Sequence, residues 1–256
     1  MDLKLSGKTA IILGGTRGIG RAIAETFADE GTNVAICARN EEQVNAAVAE
    51  LGAKGIKASG ASVDVTDADA LQAWIKSVGE AHGQIDILIS NAGAMAQGND
   101  AKSWEQNFNL DVLGCVNAFE AAEPYLTKAA SKTGDTAVII IASISGAVAE
   151  QASSYGPIKA SLIHMAKGLS RQYAKAGIRV NTVSPGMVYF EGGVWHMVEQ
   201  NMPEFYAKSL RRVPSGRCAT PEEIASATVF LASPLSSYTT GINLIIDGSV
   251  TNRVNF

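Results

Sequence analysis

Residues 9–29 read Thr9-Ala10-Ile11-Ile12-Leu13-Gly14-Gly15-Thr16-Arg17-Gly18-Ile19-Gly20-Arg21-Ala22-Ile23-Ala24-Glu25-Thr26-Phe27-Ala28-Asp29. Thr9 to Leu13 is a short apolar run, the pattern of a strand buried on both faces. Gly18 to Asp29 predicts a helix, stopped at Gly31. The glycines between them form a turn that ends at a helix N-terminus. Free backbone N–H groups and the helix dipole make such a point a pyrophosphate site. Glycine lets the backbone approach the ligand and lets helix pack on strand. The spacing is G-x-x-x-G-x-G, and an isolated match can also be a tight turn that binds nothing. Its place between strand and helix favours the ligand.

The same alternation continues outward. Strands are expected at Asn33–Ala38, Ile56–Val63, Ile85–Ser90, Ala137–Ala142, Ile178–Val183 and Asn243–Ile246. Helices are expected at Glu41–Leu51, from Asp67 onward, at Ser103–Ala130 as one long element, at Ser153–Ala176 and at Pro221–Ala232. Asp67 and Thr220 suit helix N-caps, and Ser184-Pro185-Gly186 reads as a strand breaker. Strand-helix alternation throughout predicts an α/β fold, a Rossmann-type doubly wound parallel sheet with helices on both faces. No repeat or linker interrupts it, so residues 1–256 read as a single domain.

Composition narrows the function. Among 256 residues, 21 Lys+Arg against 25 Asp+Glu give a net charge of −4, without the basic excess of a nucleic-acid binder. Apolar residues are 46% and charged residues 18%, which suits a packed domain rather than a disordered chain. The three cysteines, Cys37, Cys115 and Cys218, are scattered, giving neither a disulfide framework nor a zinc motif, and no metal is expected. Met1-Asp2-Leu3-Lys4 lacks the apolar run of a signal peptide, and Ala137–Ala142 is too short to span a bilayer. A cytoplasmic protein without membrane partners is the expectation.

Two more clusters carry chemistry. Arg17 lies inside the glycine turn and Arg39 follows the second strand, where no Asp or Glu occupies positions 37–39. In this fold an acidic residue there binds the ribose 2′-OH of NAD, while an arginine accommodates the 2′-phosphate of NADP. NADP(H) is therefore expected over NAD(H). Tyr155-Gly156-Pro157-Ile158-Lys159 places a phenol and an ammonium on one helix face at i, i+4. Pro157 is tolerated there if it falls in the first turn. A lysine ammonium stabilises a nearby phenolate and readies it to exchange a proton with a carbonyl or alcohol oxygen.

Together these features resemble the short-chain dehydrogenase/reductase family along nearly the whole chain. Gly14, Gly18 and Gly20 match its glycine turn, with Thr16, Arg17 and Ile19 between them. The resemblance implies that Asp64 and Val65 meet the adenine, that Asn91-Ala92-Gly93 is the family's NAG segment, and that Pro185, Gly186 and Val188 flank the nicotinamide. It implies Ser143, Tyr155 and Lys159 as the catalytic set, with Ser145 a rival for the serine. Tyr155 is the implied acid/base, Lys159 holds the ribose hydroxyls, and Ser143 bonds the substrate oxygen where charge develops. Hydride transfer between a ketone and a secondary alcohol is the implied reaction. The tail, from Gly216 to Gly248, is most similar to the 3-oxoacyl-thioester reductase branch. Alternatives are a hydroxysteroid or polyol dehydrogenase, or a catalytically weak NADP-binding scaffold.

Some positions depart from the family pattern. The usual active-site Asn falls at Asp111, with Asn109 out of register; a carboxylate there would hold Lys159 charged if close enough. Leu13 and Phe190 stand where Thr is common, and Phe190 cannot bond a nicotinamide amide. The loop Ala147–Ser154 reads one residue short.

Residues 187–216 occupy the place of the family's substrate lid, and they carry Phe190 and Trp195 with Gly192-Gly193 as a hinge. Such a cover expels water over the reacting centre; the other reading is a helix pair packed on the core or on a partner subunit. Met95 and Gln97 are expected in the pocket, and an apolar small-molecule carbonyl or alcohol as substrate. The family also implies a homo-oligomer, tetramer or dimer, using the fourth and fifth helices and the C-terminal run Val250–Phe256.

Overall fold

A computed structural model describes residues 2–149 and 151–254; Asn255 and Phe256 of the tail lie outside the described residues. The first strand, β1 (Thr9–Leu13), is followed by α1 (Gly18–Asp29), β2 (Asn33–Ala38), α2 (Glu41–Gly52), β3 (Ala58–Ser62), α3 (Ala68–His82) and β4 (Ile87–Ser90). The second half runs α4 (Ala101–Asn107), α5 (Gly114–Thr133), β5 (Thr136–Ile141), α6 (Tyr155–Tyr173), β6 (Ile178–Pro185), α7 (Val194–Asn201), α8 (Pro203–Leu210), α9 (Pro221–Ala232) and β7 (Asn243–Ile246). All seven strands are parallel, in the order β3-β2-β1-β4-β5-β6-β7.

The two-residue period of β1 sorts the core. Ala10 and Ile12 join Phe27 of α1 and Ile224 of α9 on one face. Ile11 and Leu13 join Trp74 of α3, Leu126 of α5 and Leu162 of α6 on the other. Both faces are covered, which is why these strands read as continuous apolar runs. The order reverses between β1 and β4, and a crevice opens there at the carboxyl ends of the strands.

Local signals set the helix ends. Asp67 caps α3 by accepting from the Ala70 N–H, and Thr220 with Glu223 forms a capping box on α9. α6 begins at Tyr155, so Pro157 falls in its first turn, where no N–H partner is lost.

Several boundaries differ from expectation. β3 starts at Ala58 and β4 at Ile87, and Lys57 and Asp86 just before them already make backbone hydrogen bonds with the neighbouring strands. β6 continues through Ser184 and Pro185 instead of breaking at Ser184. β5 pairs only as far as Val183, so Pro185 has a single strand neighbour, Ile246, and its missing N–H costs no ladder bond. The helix expected at Ser103–Ala130 is divided: a π-helical turn at Phe108–Leu113 separates α4 from α5. Wide turns of this kind are frequent at functional sites, and this one carries Asp111 inward, to 2% exposure.

Candidate active site

A cleft of about 640 Å³ runs across the carboxyl ends of β1, β2, β4, β5 and β6. The glycine turn forms one wall. Gly14 has φ +77°, and its carbonyl accepts from Asn91 Nδ2 at 2.9 Å. A Cβ on Gly20 would lie 2.0 Å from that same carbonyl oxygen, so only glycine lets α1 pack this close. Asn91 thereby ties the β1 turn to the end of β4, across the point where the strand order reverses. Thr16, Arg17 and Ile19 line the cleft at the N-terminus of α1. Gly18 and Gly20 lie behind that lining, and Gly18 is covered by the ring of Phe190.

Arg39 and Asp64 line one end of the cleft with Val65. One oxygen of Asp64 takes both the Thr66 N–H at 3.0 Å and its hydroxyl at 2.8 Å. The Thr66 N–H is the largest influence holding the Asp64 carboxyl below the usual range, with the Thr66 hydroxyl and Arg39 adding to it against mild burial. No carboxylate replaces Arg39 at the end of β2.

The opposite end holds Ser143, Tyr155 and Lys159, all lining the cleft. Lys159 Nζ sits 5.5 Å from the Tyr155 ring centroid. It donates to the Ile141 carbonyl at 3.3 Å and pairs with Asp111 Oδ2 at 3.0 Å. Burial opposes the charge on Lys159, but Tyr155 and Asp111 outweigh it and keep its pKa above the ordinary lysine value. Ser143 Oγ accepts from the Ser145 N–H at 3.1 Å, so its proton is left for another acceptor. Ser145 is not in the lining. The loop carrying Ser143 packs directly on the first turn of α6. A Cβ on Gly146 would stand 2.8 Å from the Ala160 nitrogen, and one on Gly156 2.8 Å from the Ser145 oxygen. Two glycines therefore let the loop of Ser143 pack closely on the start of α6.

Asn107, which no sequence motif singles out, also ties this region together. It is fully buried and donates to the Ala96 carbonyl at 2.9 Å and to Ser154 Oγ at 2.8 Å. Ser154 Oγ donates on to the Gly98 carbonyl at 2.8 Å. An asparagine at the last residue of a helix just before a π-turn carries no motif, and only the fold shows what it joins.

Pro185, Gly186 and Val188 line the floor, and Val188 bridges to Ala219. Met95, Phe190 and Trp195 line the outer part with Val194 and Met197, whereas Gln97 is exposed and stands outside the cleft lining. Trp195 stacks on Phe205 of α8 with centroids 6.5 Å apart, and Tyr189 Oη donates to Glu199 Oε2 at 2.5 Å. The segment 187–216 is thus a compact helix pair with its own aromatic packing. No helix among the described residues is long and apolar enough to cross a membrane, and no group of His, Cys, Asp and Glu among them is placed to hold a metal.

The chain matches a family model described as enoyl-(acyl carrier protein) reductase over residues 14–251. It is 36% identical over 251 residues to isoepoxydon dehydrogenase of Penicillium expansum, covering 96% of this chain and 95% of that protein. The 3-oxoacyl-(acyl-carrier-protein) reductase of Chlamydia pneumoniae is 32% identical over 257 residues, covering 98% of this chain and all, 100%, of that one. Among solved structures, L-sorbose reductase from Gluconobacter frateurii, complexed with NADPH and L-sorbose, superimposes with a TM-score of 0.89 at 29% identity, covering 99% of this chain and 100% of its own. A likeness that runs from the glycine turn almost to the last residue, on a sheet of this order, makes the assignment plain: the chain belongs to the short-chain dehydrogenase/reductase family, nicotinamide-dependent oxidoreductases that act on CH–OH groups.

Proposed function

We propose that the protein interconverts a ketone and a secondary alcohol with NADP(H). The observation that carries this reading is the Lys159 ammonium, buried and held 5.5 Å from the Tyr155 ring in a cleft that Ser143 also lines. Tyr155 gives its proton to the carbonyl oxygen in reduction and takes one from the alcohol in oxidation. Ser143 donates to the same oxygen as charge gathers on it. Lys159 stabilises the phenolate and offers a donor to the ribose.

The cleft suits a dinucleotide. Its volume, about 640 Å³, is that of a ligand pocket, and the N-terminus of α1 opens into it beside Thr16 and Arg17. In this reading Gly14, Thr16, Arg17, Gly18, Ile19 and Gly20 shape the pyrophosphate site. Asp64 and Val65 take the adenine, Asn91, Ala92 and Gly93 the ribose side, and Pro185, Gly186 and Val188 the nicotinamide. Bound there, the nicotinamide supplies hydride in reduction and accepts it in oxidation. Arg17 and Arg39 favour the 2′-phosphate, supported by the lack of an acidic side chain at the end of β2.

The outer cleft is lined by Met95, Phe190, Trp195 and Met197, while its charged side chains lie elsewhere. This favours an uncharged, largely apolar carbonyl substrate. Gly192, at φ +72°, gives residues 187–216 a hinge for closing over it. Exposed Phe230, Leu235, Tyr238, Ile242 and Val254 support a homo-oligomeric assembly through the C-terminal region, which sedimentation velocity at micromolar concentration tests.

The activity test is NADPH oxidation by the purified chain over a panel of alicyclic ketones, a short 3-oxoacyl thioester, a steroid ketone and a ketose. Turnover of an apolar ketone is the expected result. Turnover of the ketose alone would overturn the substrate class.

A further inference from the structure

We propose that Asp111 is a positioning residue for this chemistry: its carboxylate holds the Lys159 ammonium charged and in place beside Tyr155. The inference rests on the reading of Tyr155 and Lys159 given above and deepens it.

The π-helical turn is what delivers the group. Widening the helix at Phe108–Leu113 brings Asp111 to 2% exposure, directly behind the cleft wall. Its two oxygens are divided. Oδ1 accepts from the Ala94 N–H at 2.6 Å, and Oδ2 lies 3.0 Å from Lys159 Nζ. The two side chains are only 0% and 5% exposed. The pair backs onto the loop at 91–94: a Cβ on Gly93 would stand 3.2 Å from Nζ and 3.3 Å from Oδ1. One carboxylate thus fixes both a loop that lines the cleft and the ammonium that serves it.

The electrostatics follow from burial. A lone ammonium in such a place would tend to lose its proton, and a lone carboxylate to gain one. For Lys159, Tyr155 and the Asp111 carboxylate outweigh burial and keep the ammonium charged. Other groups face the pair from each packed element. α6 contributes Tyr155, and β5 contributes the Ile141 carbonyl. The loop 91–94 brings no charged side chain. α5 contributes Cys115, whose thiol is pushed up to about 11, chiefly by burial, and so stays neutral at ordinary pH. Asp111 is therefore the one carboxylate among the described residues ion-paired with this lysine. Ile141 takes one of the three ammonium donors, and the 3.0 Å contact with Asp111 Oδ2 is an ion pair rather than a directed hydrogen bond.

Asp111→Asn tests this, because the amide oxygen can still accept from Ala94 while the amide nitrogen removes the negative charge facing Nζ. Two measurements are made on the full chain. The first follows the side-chain nitrogen and Cε signals of isotopically labelled lysine by NMR against pH, with Lys159 assigned through Lys159→Arg. In the unsubstituted protein Lys159 titrates above the exposed lysines, and in Asp111→Asn it titrates lower. The second is the pH profile of ketone reduction. The variant keeps rates within about threefold of the parent near pH 6.5 and falls at least about fivefold behind it near pH 9, as the ammonium is lost earlier.

A Lys159 titration in the unsubstituted protein at or below that of exposed lysines overturns the proposal, even if the variant fails to fold. So does an unmoved pH profile in a folded, active variant, which would leave Asp111 an architectural residue. If the unsubstituted protein turns over no ketone, the proposed function fails, while the NMR titration still decides whether Asp111 sets the charge of Lys159.

Discussion

Asn107 Nδ2 donates to Ser154 Oγ at 2.8 Å, a bond that spans 47 residues of sequence. Ser154 is the residue immediately before Tyr155, and its own hydroxyl and N–H both reach the Gly98 carbonyl, at 2.8 and 3.0 Å. The start of α6 is thereby tied to the loop leaving β4. The position of Tyr155 depends on a residue that never touches the cleft.

Replacing Asn107 by Ala removes these donors from a fully buried site. Leaving the Ala96 carbonyl and Ser154 without them costs about 1–3 kcal/mol of stability. Urea unfolding should show that loss, and kcat should fall more than the KM for the cofactor rises, since the proton donor and not the cofactor site is displaced.

Arg39→Ala should raise the KM for NADPH by roughly 10- to 100-fold, the equivalent of one charge-assisted contact, and leave the KM for NADH nearly unchanged. Parallel steady-state titrations with both cofactors measure the difference. An equal effect on the two would remove Arg39 from the 2′-phosphate.

The loop of Ser143 gives a geometric prediction. In Gly146→Ala the new methyl must find room 2.8 Å from the Ala160 nitrogen and 2.9 Å from the Lys159 carbonyl carbon. Both are backbone atoms of α6, so the loop has to move. Reduction should slow at least about tenfold, as expected when a preorganised donor is displaced, while equilibrium binding of NADPH holds.

Thiol chemistry reports the packing. Burial pushes Cys37 up to about 12 and Cys115 to about 11, and Cys218, half-buried against Tyr206, is raised as well. A raised thiol pKa means less thiolate at any lower pH, hence slower alkylation. At pH 8 a thiol reagent should modify at most Cys218, and slowly, in the native protein. All three cysteines should react in denaturant. Fast reaction of two or more in the native state would contradict the packing around β2 and α5.

Much of this architecture was legible because the local signals agree with one another. Gly14–Gly20, the apolar strands and the caps at Asp67 and Thr220 each point to the same doubly wound sheet, and the elements formed within a few residues of their expected ends. The pair Tyr155–Lys159 was legible for the same reason, a fixed spacing on one helix face. Other features depend on what lies opposite in space. Pro185 breaks strands in general but not beside a neighbour that ends first, as β5 does at Ile141, opposite Val183. The π-turn before α5 has no composition of its own, so a single helix was the natural reading of Ser103–Ala130. Asn107 carries no pattern, and Gln97 lies on a loop whose path no periodicity specifies.

The central claim is that Tyr155 is the proton donor and acceptor, supported by Lys159 beside it. The most direct test compares the parent protein with Tyr155→Phe in two assays, NADPH oxidation with the best ketone of the panel and equilibrium binding of NADPH. Loss of at least about a thousandfold in turnover, the upper range for removing a general acid, with NADPH binding unchanged is the predicted result. Turnover retained within tenfold would contradict the account, as would saturable NADPH binding by a parent protein that reduces no ketone at all.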